Sequence, residues 1–134
     1  MIPSTNNILS TDLTVETQPS KNYKLHFEQD IITGTCDELD AMQQVVYKIL
    51  NTERYQSIIY SWNYGVEFFD LYGEPVTYVC PELQRRITEA LVQDDRIESV
   101  DNFEFDTSEK GIVKATFTVH TIFGNLESEK VVNF

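Results

Sequence analysis

The chain has 134 residues, which is enough for one domain with a buried core. Its composition, with 41% hydrophobic and 12% aromatic residues, is typical of a globular protein. Its 22 acidic and 10 basic side chains give a net charge of −12, so nucleic acid and anionic membranes are not expected as partners, because binding to both depends on Lys and Arg. No apolar run approaches the roughly 20 residues of a membrane span, and no basic segment followed by an apolar one marks a signal peptide, so we expect folding in a cytosol.

Residues 1–21 are predicted to form an extended or disordered N-terminal arm. They are rich in Ser, Thr, Asn and Pro, and their few apolar residues follow neither a helical nor a strand period. Residues 22–134 are predicted to form a single domain. It begins with a small hairpin, because Tyr23–Phe27 and Ile31–Thr35 have strand-like composition on either side of a short polar turn.

The first helix is predicted to begin after Asp37, a residue type that caps helix N-termini, and to end near Asn51. Its apolar residues recur at spacings of three and four, which gives one buried stripe. Gln43, Gln44 and Lys48 are expected on the opposite, exposed face. The buried stripe consists of Leu39, Met42, Val45, Val46, Ile49 and Leu50.

An aromatic-rich segment, residues 55–78, separates this helix from a second one. Its Trp62 and neighbouring tyrosines are expected in the core, because a small domain needs large side chains to fill its interior. The second helix is predicted to begin after Cys80, with Pro81 in its first turn, and to end near Gln93. Its buried stripe consists of Leu83, Ile87, Ala90 and Leu91, and Arg85 and Arg86 are expected on its solvated face.

Three strands are predicted at the end of the chain, at Ile97–Asp106, Ile112–Phe123 and Leu126–Phe134. In the second strand the odd-numbered residues from Val113 to Val119 are apolar and the even-numbered ones polar, as a sheet with one buried face requires. Gly124-Asn125 is predicted to form the turn before the third strand. The order of elements predicts a single α+β domain, with two main helices packed on a mainly antiparallel sheet that ends in a C-terminal β-hairpin.

The last strand is expected to form an edge of this sheet. The sequence ends at Phe134, so we expect nothing to cover the outer N–H and C=O groups of that strand. An uncovered edge is an aggregation liability, but it is also a surface that accepts a strand from another protein. The functional hypothesis depends on this second use of the edge.

Few residues suggest catalysis. His26 and His120 lie at alternating strand positions without a partner motif, and Cys36 and Cys80 lack a nucleophile signature and metal-ligand spacing. No phosphate-binding, dinucleotide-binding or metalloprotease motif occurs, so we expect no enzyme, no cofactor and no metal. A carboxylate-dependent glycan hydrolase is kept as an alternative because acidic residues lie in or next to the aromatic segment, namely Glu53, Glu67, Asp70 and Glu74.

Several segments of the chain resemble the tail proteins of PBSX-type defective prophages. Through them the chain is similar to the wider family of baseplate wedge proteins that initiate the sheath of contractile tails. The resemblance covers about residues 23–134 and is carried by Leu50–Tyr55, Ile59–Gly65, Cys80–Leu91, Asp94–Ile97 and Phe117–Gly124.

This resemblance implies a structural protein, present in six copies around the tail tube, whose fold is similar to the inner domain of the sheath protein. It implies assembly in the host cytoplasm and then a place in the baseplate of a phage, prophage or bacteriocin particle. Many members carry a Glu-Pro-Arg motif that contacts the wedge, and Asp94-Asp95-Arg96 matches it here without the proline. A local ion pair between Arg96 and Asp94 is the alternative role for this arginine.

The resemblance also implies that the C-terminal strands accept strands donated by the first sheath ring, which would link the wedge to the sheath and nucleate sheath assembly. An adaptor of the tail tube or hub, rather than of the sheath, is the remaining alternative. The residues expected at the acceptor surface are Thr116, Thr118, His120, Leu126, Ser128, Lys130, Val131, Val132, Asn133 and Phe134.

Overall fold

The computed structural model describes residues 14 and 16–133, so most of the predicted arm and Phe134 lie outside the described residues. An antiparallel hairpin comes first, formed by β1 (Asn22–His26) and β2 (Ile31–Cys36). It is followed by α1 (Glu38–Leu50), by a 3-10 helix (Phe69–Leu71) and by α2 (Val76–Val92). Neither α-helix of the described chain is long and apolar enough to cross a lipid bilayer.

A three-stranded antiparallel sheet completes the domain and confirms the predicted α+β fold. It consists of β3 (Ile97–Asp106), β4 (Ile112–Thr121) and β5 (Gly124–Asn133), in the order β3-β4-β5. The odd-numbered side chains of the central strand β4, from Val113 to Val119, are buried as predicted. They pack against the apolar stripes of both helices, and each buried Val, Leu, Ile or Phe contributes about 1.5–3 kcal/mol. Leu39, in the first turn of α1, is exposed, contrary to the prediction that it belongs to the buried stripe.

The start of α2 differs from the prediction. The helix begins at Val76, with Pro75 as its N-cap, so Pro81 lies inside the helix rather than in its first turn. The carbonyl of Pro75 accepts hydrogen bonds from the N–H groups of Tyr78 (2.9 Å) and Val79 (3.0 Å). Because Val79 is fully buried, the hydrophobic core stabilises this additional turn despite the hydrogen bond that Pro81 cannot donate.

The turn between the last two strands also lies two residues earlier than predicted. Thr121 pairs with Gly124, so Ile122 and Phe123 form the turn and Gly124-Asn125 belongs to β5. The Thr121 hydroxyl donates to the Gly124 carbonyl (2.7 Å) and accepts from the Phe123 N–H (3.2 Å). Gly124 has φ 132°, a value that favours glycine, so its role is to let the chain enter β5 directly after the turn.

Gln44 is a further difference, because it is buried although it was expected on the exposed face of α1. Its side-chain amide completes the backbone of β1 at a point where the strand register shifts. The Nε2 group donates to the Tyr23 carbonyl (2.7 Å), and Oε1 accepts from the Leu25 N–H (2.9 Å). The amide therefore substitutes for a neighbouring strand and fixes the hairpin to α1.

Candidate functional site

The outer edge of β5 pairs with no other strand among the described residues, since β5 follows β4 at the end of the sheet. β5 pairs with β4 over ten consecutive residue pairs, from Thr121–Gly124 to Ile112–Asn133, without a register shift. A straight, regular edge of this length is the form that a further strand can extend by backbone hydrogen bonds. The predicted edge strand is thus present in the fold.

The pairing pattern identifies which residues of β5 direct their backbone groups outward. The Ile122 N–H donates to the Arg96 carbonyl (3.0 Å), one position beyond the Ile97–Thr121 pair. Thr121 therefore directs its own backbone groups to β5, and bonded and outward residues alternate from Gly124 onward. The outward set consists of Asn125, Glu127, Glu129, Val131 and Asn133.

The opposite edge of the sheet, at β3, is much less regular. Its register against β4 shifts twice, between Ile97 and Ser99 and between Asp101 and Glu104. Asn102, inside the second irregularity, has φ 53°. Bulges of this kind interrupt the row of backbone groups and protect an edge from further pairing. Of the two edges, β5 is the one suited to accept a strand.

A groove of about 330 Å³ lies beside β5. One of its walls is formed by β5 residues, including Ser128 and Lys130, and the other by α1 and the β1–β2 turn. On the second wall the rings of Phe27 and Tyr47 lie 4.4 Å apart, and both are exposed. The Lys130 Nζ donates to Asn51 Oδ1 at the end of α1 (3.0 Å), and burial lowers the pKa of this lysine.

The structure divides the predicted acceptor residues into two groups. The first group lies on β5 opposite buried residues of β4 and consists of Leu126, Ser128, Lys130 and Val132. Val131 and Asn133 also lie on β5, at the positions between these residues. The remaining predicted residues, Thr116, Thr118 and His120, lie on β4, which pairs with β3 on one side and β5 on the other. Their backbone groups have no open side, so only the predicted residues on β5 have a backbone edge that an incoming strand could extend. The last predicted residue, Phe134, lies outside the described residues.

His120 connects the three strands through its side chain instead. Its Nε2 lies 2.8 Å from Asp101 Oδ1 on β3, and its Nδ1 lies 2.7 Å from Asn125 Oδ1 on β5. These hydrogen bonds raise the pKa of the imidazole, the one to Asn125 by more than the one to Asp101. The ring therefore helps to keep the solvent-facing side of the sheet in one register.

Asp94 and Arg96, predicted to contact a partner, form a compact ion pair at the end of α2. The Arg96 guanidinium binds both carboxylate oxygens of Asp94, with Nε–Oδ1 at 2.9 Å and Nη2–Oδ2 at 2.7 Å, and its Nη1 donates to the Pro19 carbonyl (3.3 Å). Arg96 is buried, whereas Asp95 is exposed. The local ion pair that the sequence left as an alternative is therefore present, and Asp95 is the accessible member of the predicted motif.

Trp62 is not in the core, contrary to the prediction. It lies with Ile58 and Ile59 on a surface loop, residues 55–64, which we call the apolar loop. The number of aromatic residues in this segment led to the core prediction. The sequence does carry a sign of a surface loop. Ser and Asn residues lie between these side chains, and the apolar residues follow neither a helical nor a strand period.

The apolar loop and the predicted Asp94–Arg96 motif line a common cavity of about 400 Å³. Ser61, Asn63 and Tyr64 line it from the loop, and Asp94, Asp95 and Arg96 line it from the other side. The Asn63 Nδ2 group donates to Gln93 Oε1 (3.3 Å), which fixes the loop to the end of α2. The loop and the motif thus form one continuous surface.

Two of the four carboxylates considered for glycan hydrolysis have structural partners. Glu53 accepts hydrogen bonds from the N–H groups of Phe68 and Phe69 at the start of the 3-10 helix (3.0–3.2 Å). Asp70 forms an ion pair with Arg86 of α2, which lowers the pKa of Asp70 through hydrogen bonding. Glu67 and Glu74 are exposed. Arg86 is consequently not the solvated residue that the helical pattern predicted.

Comparison with known proteins adds two findings. Residues 15–124 match the family model described as the contractile injection system sheath initiator. The chain is also 40% identical, over 128 aligned residues that cover 90% of each chain, to the phage-like element PBSX protein XkdS of Bacillus subtilis (strain 168). The family match ends at the first residue of β5.

Proposed function

The chain belongs to the sheath initiator family of contractile injection systems and is a structural component of the contractile tail baseplate; from this premise, we propose that β5 accepts a strand from the first ring of sheath subunits. One observation carries the proposal, namely the regular outer edge of β5, which extends over ten residues and pairs with no described strand. The irregular edge at β3 is the less suitable alternative.

Backbone pairing supplies the affinity of the proposed joint. The five outward residues of β5 each present an N–H and a C=O group, and each hydrogen bond formed contributes about 0.5–1.5 kcal/mol net. Because main-chain bonds depend little on side-chain identity, the same kind of joint can recur between successive sheath rings. Such a joint also keeps two subunits attached while their bodies rotate, as the shortening of a sheath requires.

Side-chain selectivity is proposed to come from the groove beside β5. Alternate side chains of the incoming strand would point into it, between Lys130 and the exposed Phe27–Tyr47 pair. Aromatic rings at the wall favour apolar side chains, and the partly buried ammonium of Lys130 favours a hydrogen-bond acceptor. We therefore expect the donated strand to carry both types at alternating positions.

The opposite connection, to the baseplate wedge, is proposed to use the surface around Asp94-Asp95-Arg96. Arg96 holds Asp94 in place, and the exposed Asp95 is available to a partner. Six copies, assembled in the host cytoplasm, would surround the tail tube and present six β5 edges to the first sheath ring. This role is structural, and we propose no catalytic function for the acidic residues.

The decisive experiment places proline on the outer edge of β5. Glu129→Pro removes one outward N–H without breaking a β4–β5 hydrogen bond, because proline is tolerated on an edge strand where its nitrogen faces solvent. We expect this variant to stay folded, by circular dichroism and thermal unfolding, and to lose the ability to seed polymerisation of purified sheath protein. Electron microscopy of the reaction counts the sheaths formed.

Two variants serve as matched controls. Glu129→Gln removes the same charge but keeps the N–H, so it should seed sheaths as well as the wild type. Ser128→Pro removes an inward N–H and should destabilise the β4–β5 hairpin itself. Normal seeding by a folded Glu129→Pro chain would overturn the proposal.

Crosslinking of Glu129 to a tube or hub subunit in the assembled particle would favour an adaptor of that structure instead.

A further inference from the structure

We propose that the apolar loop, residues 55–64, is a second docking element that inserts into an apolar, basic-rimmed pocket of the baseplate wedge. This inference rests on the proposed baseplate role but concerns a different surface from β5. Its most exposed members, Ile58, Ile59 and Trp62, have relative exposures of 102%, 81% and 76%, the highest of the large hydrophobic residues in the described chain. Leaving such side chains in water is unfavourable, at about 25 cal/mol for each Å² of apolar surface.

The apolar loop has a closed base that gives it a defined shape. Glu53 and Val66 form a bridge at its base, and the Arg54 N–H donates to the Val66 carbonyl (3.2 Å). Gly65 has φ 93°, and a Cβ at this position would lie 2.6 Å from the Thr52 carbonyl oxygen, so the two arms of the base meet too closely for a side chain. Compact loops with adjacent ends are frequently functional.

Contacts within the loop hold its tip in place as well. The rings of Tyr60 and Tyr64 stack with centroids 4.7 Å apart, and the Tyr60 N–H donates to the Ser57 carbonyl (3.3 Å). Asn63 is fixed to Gln93 by the hydrogen bond described above. The side chains of Ile58, Ile59 and Trp62 are therefore displayed on a pre-ordered loop, which reduces the entropy lost when a partner binds.

The position of the loop indicates which partner it meets. It shares the 400 Å³ cavity with Asp94, Asp95 and Arg96, the residues proposed to contact the wedge. No residue lines both this cavity and the groove beside β5. A wedge subunit bound at Asp95 would thus be adjacent to the apolar loop.

Charge defines the chemistry of the partner. No charged residue occurs between Arg54 and Glu67, so the loop itself requires an apolar pocket. The chain as a whole has a net charge of −12, although the charged residues that line the cavity are balanced, with Lys48 and Arg96 beside Asp94 and Asp95. The net charge of the whole chain therefore favours a partner with basic residues at the rim of its pocket. The same negative charge disfavours insertion of the loop into an anionic membrane.

The first test uses a photo-crosslinking amino acid at Ile59 in the assembled particle, followed by mass spectrometry of the crosslinked peptides. We expect crosslinks to a wedge subunit, at residues next to Lys or Arg. Crosslinks to sheath protein, to the tail tube, to a second copy of this chain or to its own residues 1–13 would overturn the inference. The substitution leaves the rest of the chain unchanged, so the result does not depend on a destabilised variant.

The second test measures affinity for the purified wedge complex. A variant with Ile58→Ser, Ile59→Ser and Trp62→Ser should bind on the order of 100-fold more weakly, because buried aromatic and aliphatic anchors dominate interfaces. Tyr23→Ser with Ile32→Ser is the matched control, since these residues are 71% and 65% exposed on the β1–β2 hairpin, and it should bind normally. Equal affinity of wild type and loop variant would contradict the inference, as would binding of the wild type to vesicles of phosphatidylcholine and phosphatidylglycerol.

Sheath seeding separates this inference from the proposed function. The loop variant should seed purified sheath protein as the wild type does, because its β5 edge is unchanged. Conversely, Glu129→Pro should bind the wedge complex normally while failing to seed. If the loop variant lost seeding from purified components but kept wedge affinity, the loop would belong to the sheath contact and the inference would be wrong.

Discussion

The guanidinium of Arg96 has protein acceptors on two sides, the Asp94 carboxylate and the Pro19 carbonyl, and its side chain is buried. The hydrogen bonds explain why an arginine is present at a helix-to-strand junction, whether or not a partner is bound. Burial disfavours the charged form of Asp94, but the hydrogen bonds from the Arg96 side chain and backbone outweigh it, so the pKa of Asp94 lies below its ordinary value. Arg96 therefore acts as a structural residue that shapes the surface proposed to face the wedge.

Replacing Arg96 by Ala should destabilise the fold by about 2–4 kcal/mol, because the partly buried Asp94 carboxylate would lose its partner. The contribution of Asp94 to wild-type stability is present above its unfolded pKa, about 3.9, and is lost as the pH falls through the lower folded value. Urea unfolding at several pH values should show a smaller loss of stability at low pH in Arg96→Ala than in the wild type, because other carboxylates such as Asp70 still contribute in both. Arg96→Ala with undiminished stability would contradict the structural role.

His120 gives a prediction of the opposite sign. Its folded-state pKa is raised by Asn125 and then by Asp101, so its stabilising effect is complete below the unfolded value of about 6.5 and is lost as the pH rises through the folded value. The wild type should unfold at a higher temperature than His120→Gln, and this difference should be larger at about pH 6 than at about pH 8.5. Asp101→Asn should weaken this dependence. An advantage that grows with pH would contradict the assignment.

At the scale of the elements, local patterns predicted most of the fold. The Asp37 cap, the helical stripes and the alternation in β4 are each set by near neighbours, and apart from the exposed Leu39 the structure has them where they were predicted. The start of α2 was missed because Val79 is held by the distant core, which outweighs the local preference of Pro81 for a first turn. The turn at Ile122–Phe123 was missed because a Thr121 side-chain hydrogen bond, rather than glycine at the turn, closes it.

The candidate site was predictable to the extent that it depends on strand order. Alternation and the short connection of the final strands predict that β5 neighbours β4, and thereby an edge at β5. The pattern could not show that the backbone groups of Thr116, Thr118 and His120 are already occupied, because this follows only from the pairing of β4 with β3 as well as β5. The exposed apolar loop was missed for a related reason, since composition does not distinguish a core aromatic residue from an interface one.

Pro81 provides a test of how α2 is stabilised. Pro81→Ala restores a helical N–H at an exposed position, so the free energy of unfolding should rise by about 1–2 kcal/mol, after allowing for the greater freedom of the unfolded chain. Pro75→Ala is the matched control. Pro75 has φ −63° at the N-cap, where proline is unstrained, so its removal should not stabilise the chain. Destabilisation by Pro81→Ala, measured by urea unfolding, would show that the ring makes contacts that outweigh the missing bond.

For the whole molecule, ion pairs engage every arginine but leave the net charge of −12 unchanged. Arg54, Arg85, Arg86 and Arg96, which are all the arginines of the chain, form ion pairs within it. Much of the positive charge is thereby neutralised locally, whereas the acidic excess of 22 over 10 residues remains. Both proposed surfaces, β5 and the apolar loop with Asp95, should therefore attract basic partners over long range.

This charge predicts the kinetics of the proposed contact between β5 and the sheath protein. The rate of association with purified sheath protein should fall on the order of tenfold between about 50 mM and 500 mM NaCl, because salt screens long-range attraction. The dissociation rate should change little, since backbone hydrogen bonds and apolar contacts hold the bound state. Glu127→Gln with Glu129→Gln, which keeps every outward N–H of β5, should associate more slowly at low salt and show a weaker salt dependence in biolayer interferometry. An association rate that rises with salt would mean that the sheath surface facing β5 is acidic, and that backbone pairing forms against electrostatic repulsion rather than with its help.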